Sequence, residues 1–466
     1  MQFDLIIVGA SFAGLAAART AASRGLSTAV IETKPEVGTR THTSGILVRE
    51  AIDEIDIPHH LTRRVPGVRL YSPSLKSIDL FLPGYAFFTT RTPDLLRWMA
   101  HEARDAGAHV LTATRYEGAR REGGVFRLAG IDISTRYLVG ADGIRSRVAA
   151  DFGLAFNRTF LSGVEVDLEP NDAVDPRFLH CFVDSRLAPG HLAWAAPGPD
   201  AIQLGLAVRH GEKPDLARFM AHTERQFGWS RMRVVGRRGG LIPCGGPLRR
   251  TAAPGVLLIG DAAGWVSPAT GGGIQLAFRY GRRAAALIAD HLQCGGPSPE
   301  IALAREIPRF RAKSLLRRCL DLAPPNVLID LALATTPARH FAEKLYFHSR
   351  NSTGMDRAAY LRWLETEMHS AGGRSGAVAG LGRFSLGRPP GGRLGLDRQG
   401  VNALAELSGE HVIDHAMGCH TALAGKNGGR DPHTEVAFAL RPMAGMALVQ
   451  IGLVHHFKGI GMKSFG

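Results

Sequence analysis

The sequence predicts an α/β protein, α+β overall, in which a Rossmann-type nucleotide-binding domain carries an inserted antiparallel β-sheet and is followed by a helical C-terminal region. Three observations predict it. Glycine-rich turns at residues 9–14, 140–143 and 260–264 each follow an apolar run and lead toward a stretch of helix formers. Short segments of alternating apolar and polar residues lie between those turns, as in the half-buried strands of a second sheet. From residue 296 the spacing turns helical, with a break at Pro324-Pro325.

The first apolar run, residues 4–8, reads as a buried strand and residues 12–19 as the helix after it. Gly9, Ala10, Ser11, Phe12, Ala13 and Gly14 form the turn between them. Backbone N–H groups at such a helix start point at a phosphate, and the helix dipole favours its charge. Ser11 stands where this turn commonly has its middle glycine, and it is small enough for a pyrophosphate to approach. A strand over residues 27–31 ends at Glu32. That carboxylate falls about 20 residues past the glycines, where such folds hold the ribose hydroxyls of an adenosine. An ordinary βα turn without a ligand is the alternative, and Glu32 argues against it.

A helix from Gly45 completes the first part of this domain, residues 1–62. Residues 68–72 and 77–82 alternate like strands of the antiparallel layer, which assigns 63–90 to the inserted domain. Residues 93–106 read as a helix with Thr92 as N-cap, returning the chain to the nucleotide domain over 91–154. Arg91, just before it, either faces the cofactor or makes a surface ion pair. Around Asp142-Gly143 the order strand, turn, helix recurs, although this pair alone is a common tight turn. Strands such as 178–183 and 201–207 fill 155–245, with Trp194 between them. In the third nucleotide-domain segment, 246–295, a strand ends at Gly260-Asp261; Gly264, Pro268 and Gly271-Gly272-Gly273-Ile274 then lead into another helix. Asp261 would accept hydroxyls of a ribityl chain, and the N–H groups of residues 271–274 would face a carbonyl or developing anion. An acid for ribose, an acid for ribityl and three glycine turns in this order describe a site for FAD.

On these residues the chain resembles the glutathione-reductase-type flavoproteins of the p-hydroxybenzoate hydroxylase class. More narrowly, it resembles the geranylgeranyl reductase family, which saturates isoprenoid double bonds. The narrower resemblance rests on Gly264-Trp-Val-Ser-Pro-Ala-Thr-Gly-Gly-Gly-Ile274, on Gly190-His-Leu-Ala-Trp-Ala-Ala-Pro-Gly198 and on Thr89-Thr-Arg-Thr-Pro-Asp-Leu-Leu96. It implies an FAD-dependent reductase of an isoprenoid or other long apolar substrate, in a pocket shaped by Trp194 and Pro197. Leu192 and Ala196 stand where the family usually has aromatics flanking the Trp, which implies a wider pocket. The family's cysteine after the second strand is replaced within Arg40-Thr-His-Thr-Ser-Gly-Ile46, so its role passes to His42, Thr43 or Ser44 or is absent. No second nucleotide-binding βαβ unit is present, so NAD(P)H binds transiently or reduced ferredoxin supplies the electrons. No residue is singled out as proton donor. A monooxygenase or halogenase shares the same turns, and Lys76 is the early-strand lysine that a halogenase would need. A non-enzymatic flavin- or lipid-binding protein is the third reading.

At 466 residues and 45% hydrophobic, the chain can bury a large core and form two or three domains. Cys181, Cys244, Cys294, Cys319 and Cys419 are widely spaced with no CxxC, and no signal peptide precedes the first strand; a reducing, cytoplasmic setting is expected. No apolar run is long enough to span a bilayer. The net charge of +14 asks for an anionic partner or a solvated face. Nucleic acid is not expected, since no binding module or interleaved aromatics accompany the basic residues. Arg305, Arg309, Arg311, Lys313, Arg317 and Arg318, spaced by apolar positions, suit anionic lipid headgroups, hence peripheral binding at the inner membrane face.

Helices over 296–370 are expected to roof the pocket, with Asn326 capping the one after the proline pair. Residues 371–400 read as a Gly/Arg/Pro-rich linker and 401–466 as a segment of unassigned role. There His411, His415, Cys419 and His420 lack a carboxylate or CxxC to complete a metal set, so no metal is expected. Residues 444–454 are too short to span a bilayer but long enough to lie in its interface.

Overall fold

The computed structural model describes residues 1–347 of the 466. Its first sheet is built on Gln2–Val8, which pairs in parallel with Thr28–Ile31 on one side and Ser134–Gly140 on the other. His109–Leu111 and Val256–Leu258 extend the parallel arrangement. Leu5, Ile6, Ile7, Val30 and Leu138 are fully or almost fully buried, as expected of parallel strands covered on both faces. Helices Phe12–Ser23, Thr92–Asp105 and Ile274–Cys294 pack together over this sheet. The crossing of the first and last is close: a Cβ on Gly281 would stand 2.5 Å from the Ala13 carbonyl oxygen.

The second sheet has seven strands, in the order Val234–Pro243, Phe160–Leu168, Ile202–Arg209, Ala193–Pro197, Phe178–Phe182, Gly67–Tyr71, Ser77–Phe81. It is antiparallel except for one pair, because Gly67–Tyr71 runs parallel to Phe178–Phe182. A wholly antiparallel layer was the expectation. The long return through the nucleotide domain between these strands supplies the crossover that a parallel pair needs. Helix Leu216–Phe227 covers one face, burying Phe219 and Phe227 against Val166, Ala195, Leu204 and Leu206. Trp194, Ala196, Gly205 and Ala207 alternate with these and belong to the opposite face.

Local boundaries also differ from the sequence reading. The helix expected from Gly45 starts at Arg49, because Ile46–Leu47 first pairs with Phe87–Thr90 in a small third sheet. Gly45 itself has φ +70 and sits against Thr92. Thr92 is the first residue of its helix, with Arg91 at the N-cap. Asn326 does not cap by its side chain: its amide oxygen accepts from the Ser185 N–H (2.9 Å) and its amide nitrogen donates to Asp184 (2.8 Å), tying helix Asn326–Leu333 to the inserted sheet.

The basic stretch is not one helical face. It is split between Pro299–Glu306 and Arg311–Asp321 by a turn with Phe310 at φ +41. Arg317, expected to meet headgroups, is 3% exposed and points into the protein. Among the described residues, no helix is long and apolar enough to cross a membrane and no metal-ligating cluster forms. The linker, residues 401–466 with His411, His415, Cys419 and His420, and the 444–454 stretch lie outside the described residues.

Candidate active site

The first two glycine turns are built against each other. Gly9 has φ +106, and a Cβ there would stand 2.5 Å from the Ala141 oxygen, so no larger residue fits. Gly14 lies directly on the Gly9 carbonyl. Ser11, at the N-cap of Phe12–Ser23, is extended and exposed, and its hydroxyl makes no capping bond. Glu32 accepts the Ala10 N–H (2.8 Å) on one oxygen and the Lys34 N–H (2.9 Å) on the other. Each carboxylate oxygen keeps capacity to accept a ribose hydroxyl. Asp142 caps the following helix, accepting from Arg147 N–H (2.7 Å) and Val148 N–H (3.1 Å). Its other oxygen is buried with no hydrogen-bond partner among the described residues, and Gly143 beside it has φ +80.

Asp261 follows Gly260, whose φ of +59 turns the chain out of strand Val256–Leu258. Asn157 donates to the Asp261 carbonyl (2.8 Å), fixing the backbone. One carboxylate oxygen lies 3.5 Å from where a Cβ of Gly273 would be, so the acid sits beside the turn that opens Ile274–Cys294. Asp261 is exposed to solvent, yet the protein packed around its carboxyl raises its pKa to about 6 by desolvation. Gly264, at φ +68, and Pro268 both pack on Gly246. The 271–274 turn is partly spent within the protein: the Gly271 N–H donates to Ser267 O (2.9 Å) and the Gly272 N–H to the Thr270 hydroxyl (3.4 Å). Gly273 and Ile274 form the helix start proper, without a side-chain cap.

Arg91 pairs with Asp94 (3.4 Å) and with Asp200 (3.1 Å) of the inserted sheet, so its guanidinium is engaged in linking the two layers. The acids, the close glycine turns and the unpartnered Asp142 oxygen fit FAD. Glu32 would hold the adenosine ribose, Ser11 and the start of Phe12–Ser23 the pyrophosphate, and Asp261 the ribityl chain.

On the inserted sheet, Trp194 lies over Gly205, where a Cβ would come within 2.6 Å of the indole. Its Nε1–H donates to Glu165 (2.6 Å), which also accepts from Arg238 Nε (2.6 Å). Arg238 reaches Asp167 as well, at 2.7 and 2.8 Å. Burial raises the Glu165 pKa, against the pull of Arg238 and the indole. Gly163 and Gly240 are register partners across neighbouring strands; Gly163 faces Ala207 and Ile242, leaving a low floor beside the indole. Pro197 accepts from the Thr89 hydroxyl on its carbonyl (2.6 Å), Ala196 is buried, and Leu192 accepts from the Ala207 N–H (3.2 Å). His42 donates to the Gly239 carbonyl (3.1 Å), so the segment with Thr43 and Ser44 lies along strand Val234–Pro243.

The sequence reading missed two members of this site. Glu165 pairs in register with Arg238, and its signal was an acid among apolar residues of one strand, on the face that also carries Asp167. His191 brings its Nε2 to 3.9 Å from the Cβ position of Gly271, and burial together with the Arg317 charge lowers its pKa to about 3. Lys76, in contrast, is exposed at the hairpin joining Gly67–Tyr71 and Ser77–Phe81, at the sheet's outer edge.

Residues 2–301 match the model of the FAD binding domain family. A digeranylgeranylglycerophospholipid reductase of Methanothrix thermoacetophila is 29% identical over 355 residues, spanning 69% of this chain and 87% of its own length. A second, from Methanothermobacter thermautotrophicus, is 30% identical over 333 residues, spanning 67% and 84%. The chain belongs to the geranylgeranyl reductase family of FAD-binding proteins. The solved structure of a geranylgeranyl bacteriochlorophyll reductase-like protein from Thermoplasma acidophilum shares the fold, with a TM-score of 0.66 at 22% identity over 75% of this chain and 97% of that one. The motif-based resemblance, the fold class and the cofactor are thereby borne out. This member of the geranylgeranyl reductase family is an FAD-dependent oxidoreductase.

Proposed function

We propose that the protein saturates carbon–carbon double bonds of an isoprenoid chain carried on a lipid, with electrons from transiently bound NAD(P)H or reduced ferredoxin. The observation that carries this reading is the low apolar floor of Gly163, Ala207 and Ile242 between the fixed indole of Trp194 and the 271–273 turn. The names of the curated relatives support the same substrate class. Bound FAD, once reduced, supplies a hydride equivalent. An unactivated alkene offers no carbonyl for hydrogen-bond donors to polarise, so this chain's residues act by placing the double bond and excluding water. Trp194, held by Glu165, sets one wall. Leu192 and Ala196 leave the pocket broader than two aromatics would.

The reading extends to an anionic membrane surface, met peripherally. Leu315 on Arg311–Asp321, Leu322 just past its end, and Val327, Leu328 and Leu331 on Asn326–Leu333 are all at least half exposed, Leu322 at 81%. Arg309, Arg311 and Arg318 are exposed beside them. An apolar surface with basic neighbours is what an interfacial helix pair presents. The direct test is anaerobic photoreduction of the purified protein, addition of polyprenyl lipids and mass analysis of the products. Gains of two hydrogens are expected; oxygen-dependent gain of one oxygen atom with no saturation would overturn the reading in favour of a monooxygenase.

A further inference from the structure

One titratable ring stands on the floor of the inserted sheet. Gly240 pairs in register with Gly163, and Gly163 with Ala207, so the three lie side by side on the face that carries Trp194 and Glu165. Two residues back along strand Val234–Pro243, Arg238 belongs to the row of Glu165 and Trp194. Two residues on, Ile242 lies 3.4 Å from the Cβ position of Gly271, in the turn that opens Ile274–Cys294. Gly240 is therefore midway between the indole wall and the cofactor turn. What packs on it is His42, whose Cβ is 3.4 Å from the position a Gly240 Cβ would take.

Local structure delivers and fixes this ring. The loop after Glu32 is tied by Lys34 Nζ, which donates to the Arg40 carbonyl (3.2 Å), and Arg40 itself holds φ +45. A non-glycine residue in that region is strained, and such strain persists where the surrounding structure enforces a geometry. Two residues later the His42 Nδ1 meets the Gly239 carbonyl at 3.1 Å; a carbonyl only accepts, so Nδ1 carries the hydrogen. That bond holds whether the ring is neutral or cationic. Nε2 makes no hydrogen bond among the described residues and the side chain is exposed, so Nε2 is free to give up a proton and to regain one from water.

The other groups around the floor are committed elsewhere. Glu165 accepts from the indole and from Arg238, and Arg238 also reaches Asp167. Burial, with a smaller contribution from the Arg317 charge, lowers the His191 pKa to about 3 and keeps that ring neutral. Burial likewise raises the Cys244 thiol to about 11.

We propose that His42 is the catalytic acid of the double-bond reduction, its Nε2–H protonating one alkene carbon while the other receives hydride from reduced FAD. The hydride brings the electron pair of the first new C–H bond, and the alkene π pair takes the proton to form the second. His42 is left neutral, FAD is left oxidised, and water returns the proton to Nε2. The proposal rests on the saturation reading above and deepens it by supplying the proton.

The test uses full-length, FAD-loaded protein. His42→Asn keeps an N–H for the Gly239 carbonyl and removes Nε2, which separates anchoring from proton transfer. After anaerobic photoreduction, the flavin of this variant should be reoxidised by polyprenyl lipid at least about a hundredfold more slowly than that of wild type. FAD content, melting temperature and lipid binding should be unchanged, and added imidazole should restore part of the rate. Wild-type protein incubated with a polyprenyl epoxide should be alkylated at His42, read by peptide mass mapping, because the epoxide puts an acid-opened electrophile where the double bond lies. Labelling that leaves His42 unmodified overturns the proposal even if no His42 variant folds. Saturation by His42→Asn at the wild-type rate also overturns the proton role, and it alone. Wild-type protein that saturates no polyprenyl chain overturns the saturation reading and the proton role together.

Discussion

As the proposed holder of the ribityl chain, Asp261 would couple cofactor binding to pH through a single side chain. Its pKa is raised to about 6 in the FAD-free protein because the surrounding protein disfavours the charged form. Ribityl hydroxyls need the anion as acceptor, so tight binding is present above that pH and weakens as pH falls through it. Apo-protein stability moves the other way, since a raised carboxyl pKa means that protonation relieves the folded state. Titrating apo-protein with FAD at pH 7.5 and pH 5 should give a weaker Kd at the lower pH, and Asp261→Ala should abolish most of the difference. Asp261→Ala should also lose FAD far more readily than Ser11→Gly, because Ser11 makes no capping bond. On the substrate side, Trp194→Ala should impair turnover and leave flavin content near normal. Glu165→Leu should destabilise the fold by about 3–5 kcal/mol, because it strips a buried partner from Arg238 and from the indole. Glu165→Gln keeps an acceptor for the indole and should retain more activity; chemical denaturation and product analysis check both. Asp261 was legible in the sequence because it sits in a local turn pattern. Glu165 was not, because its meaning comes from Arg238, 73 residues away.

Secondary-structure elements were legible where one face or both faces must be apolar over a long run. The strand at 2–8 and the helix after Gly9 announce themselves, and so does the break at Pro324-Pro325. Pairing direction was not, since alternation along Gly67–Tyr71 looks the same in either orientation. Nor was the orientation of Arg311–Asp321, where spacing suggested a solvated basic face and tertiary contact turned Arg317 inward. The closeness of two helices is another property that local pattern hides. Gly281 lies mid-helix, where glycine disfavours the helix by about 1 kcal/mol relative to alanine. Its use is the approach to Ala13, where an added Cβ would stand 2.5 Å from a carbonyl oxygen. Gly281→Ala should therefore lower stability despite better helix propensity, by about 1–3 kcal/mol as in other overpacked cores. Since Ala13 belongs to the turn proposed to hold the pyrophosphate, the melting temperature gained on adding FAD should shrink as well. A stabilised variant with unchanged FAD response would show that the crossing relaxes freely.

At the scale of the molecule, the parallel sheet provides the cofactor turns, the inserted sheet provides the apolar floor, and the later helices present an apolar and basic exterior. The sequence carried the charge of that exterior with one misplaced member, because Arg317 faces inward while Arg309, Arg311 and Arg318 are exposed, and it did not show that Leu315, Leu322, Val327, Leu328 and Leu331 face out. The two contributions to the proposed membrane binding can be separated. Burying exposed leucines and a valine in the interface acts on any bilayer and is insensitive to salt. Arg309 and Arg318 would act only on anionic headgroups, at roughly 1 kcal/mol each near the surface, and salt would screen them. In vesicle flotation, Leu322→Asp combined with Val327→Asp and Leu331→Asp should abolish binding to neutral and anionic vesicles alike. Arg309→Gln with Arg318→Gln should leave neutral vesicles unaffected and weaken anionic ones by roughly thirtyfold, as about 2 kcal/mol requires. Turnover of a detergent-dispersed substrate should be unchanged in both, because none of these side chains reaches the cofactor turns. Wild-type protein that ignores vesicles of either kind would mean that this apolar surface has another partner and that the lipid reaches the pocket by another route.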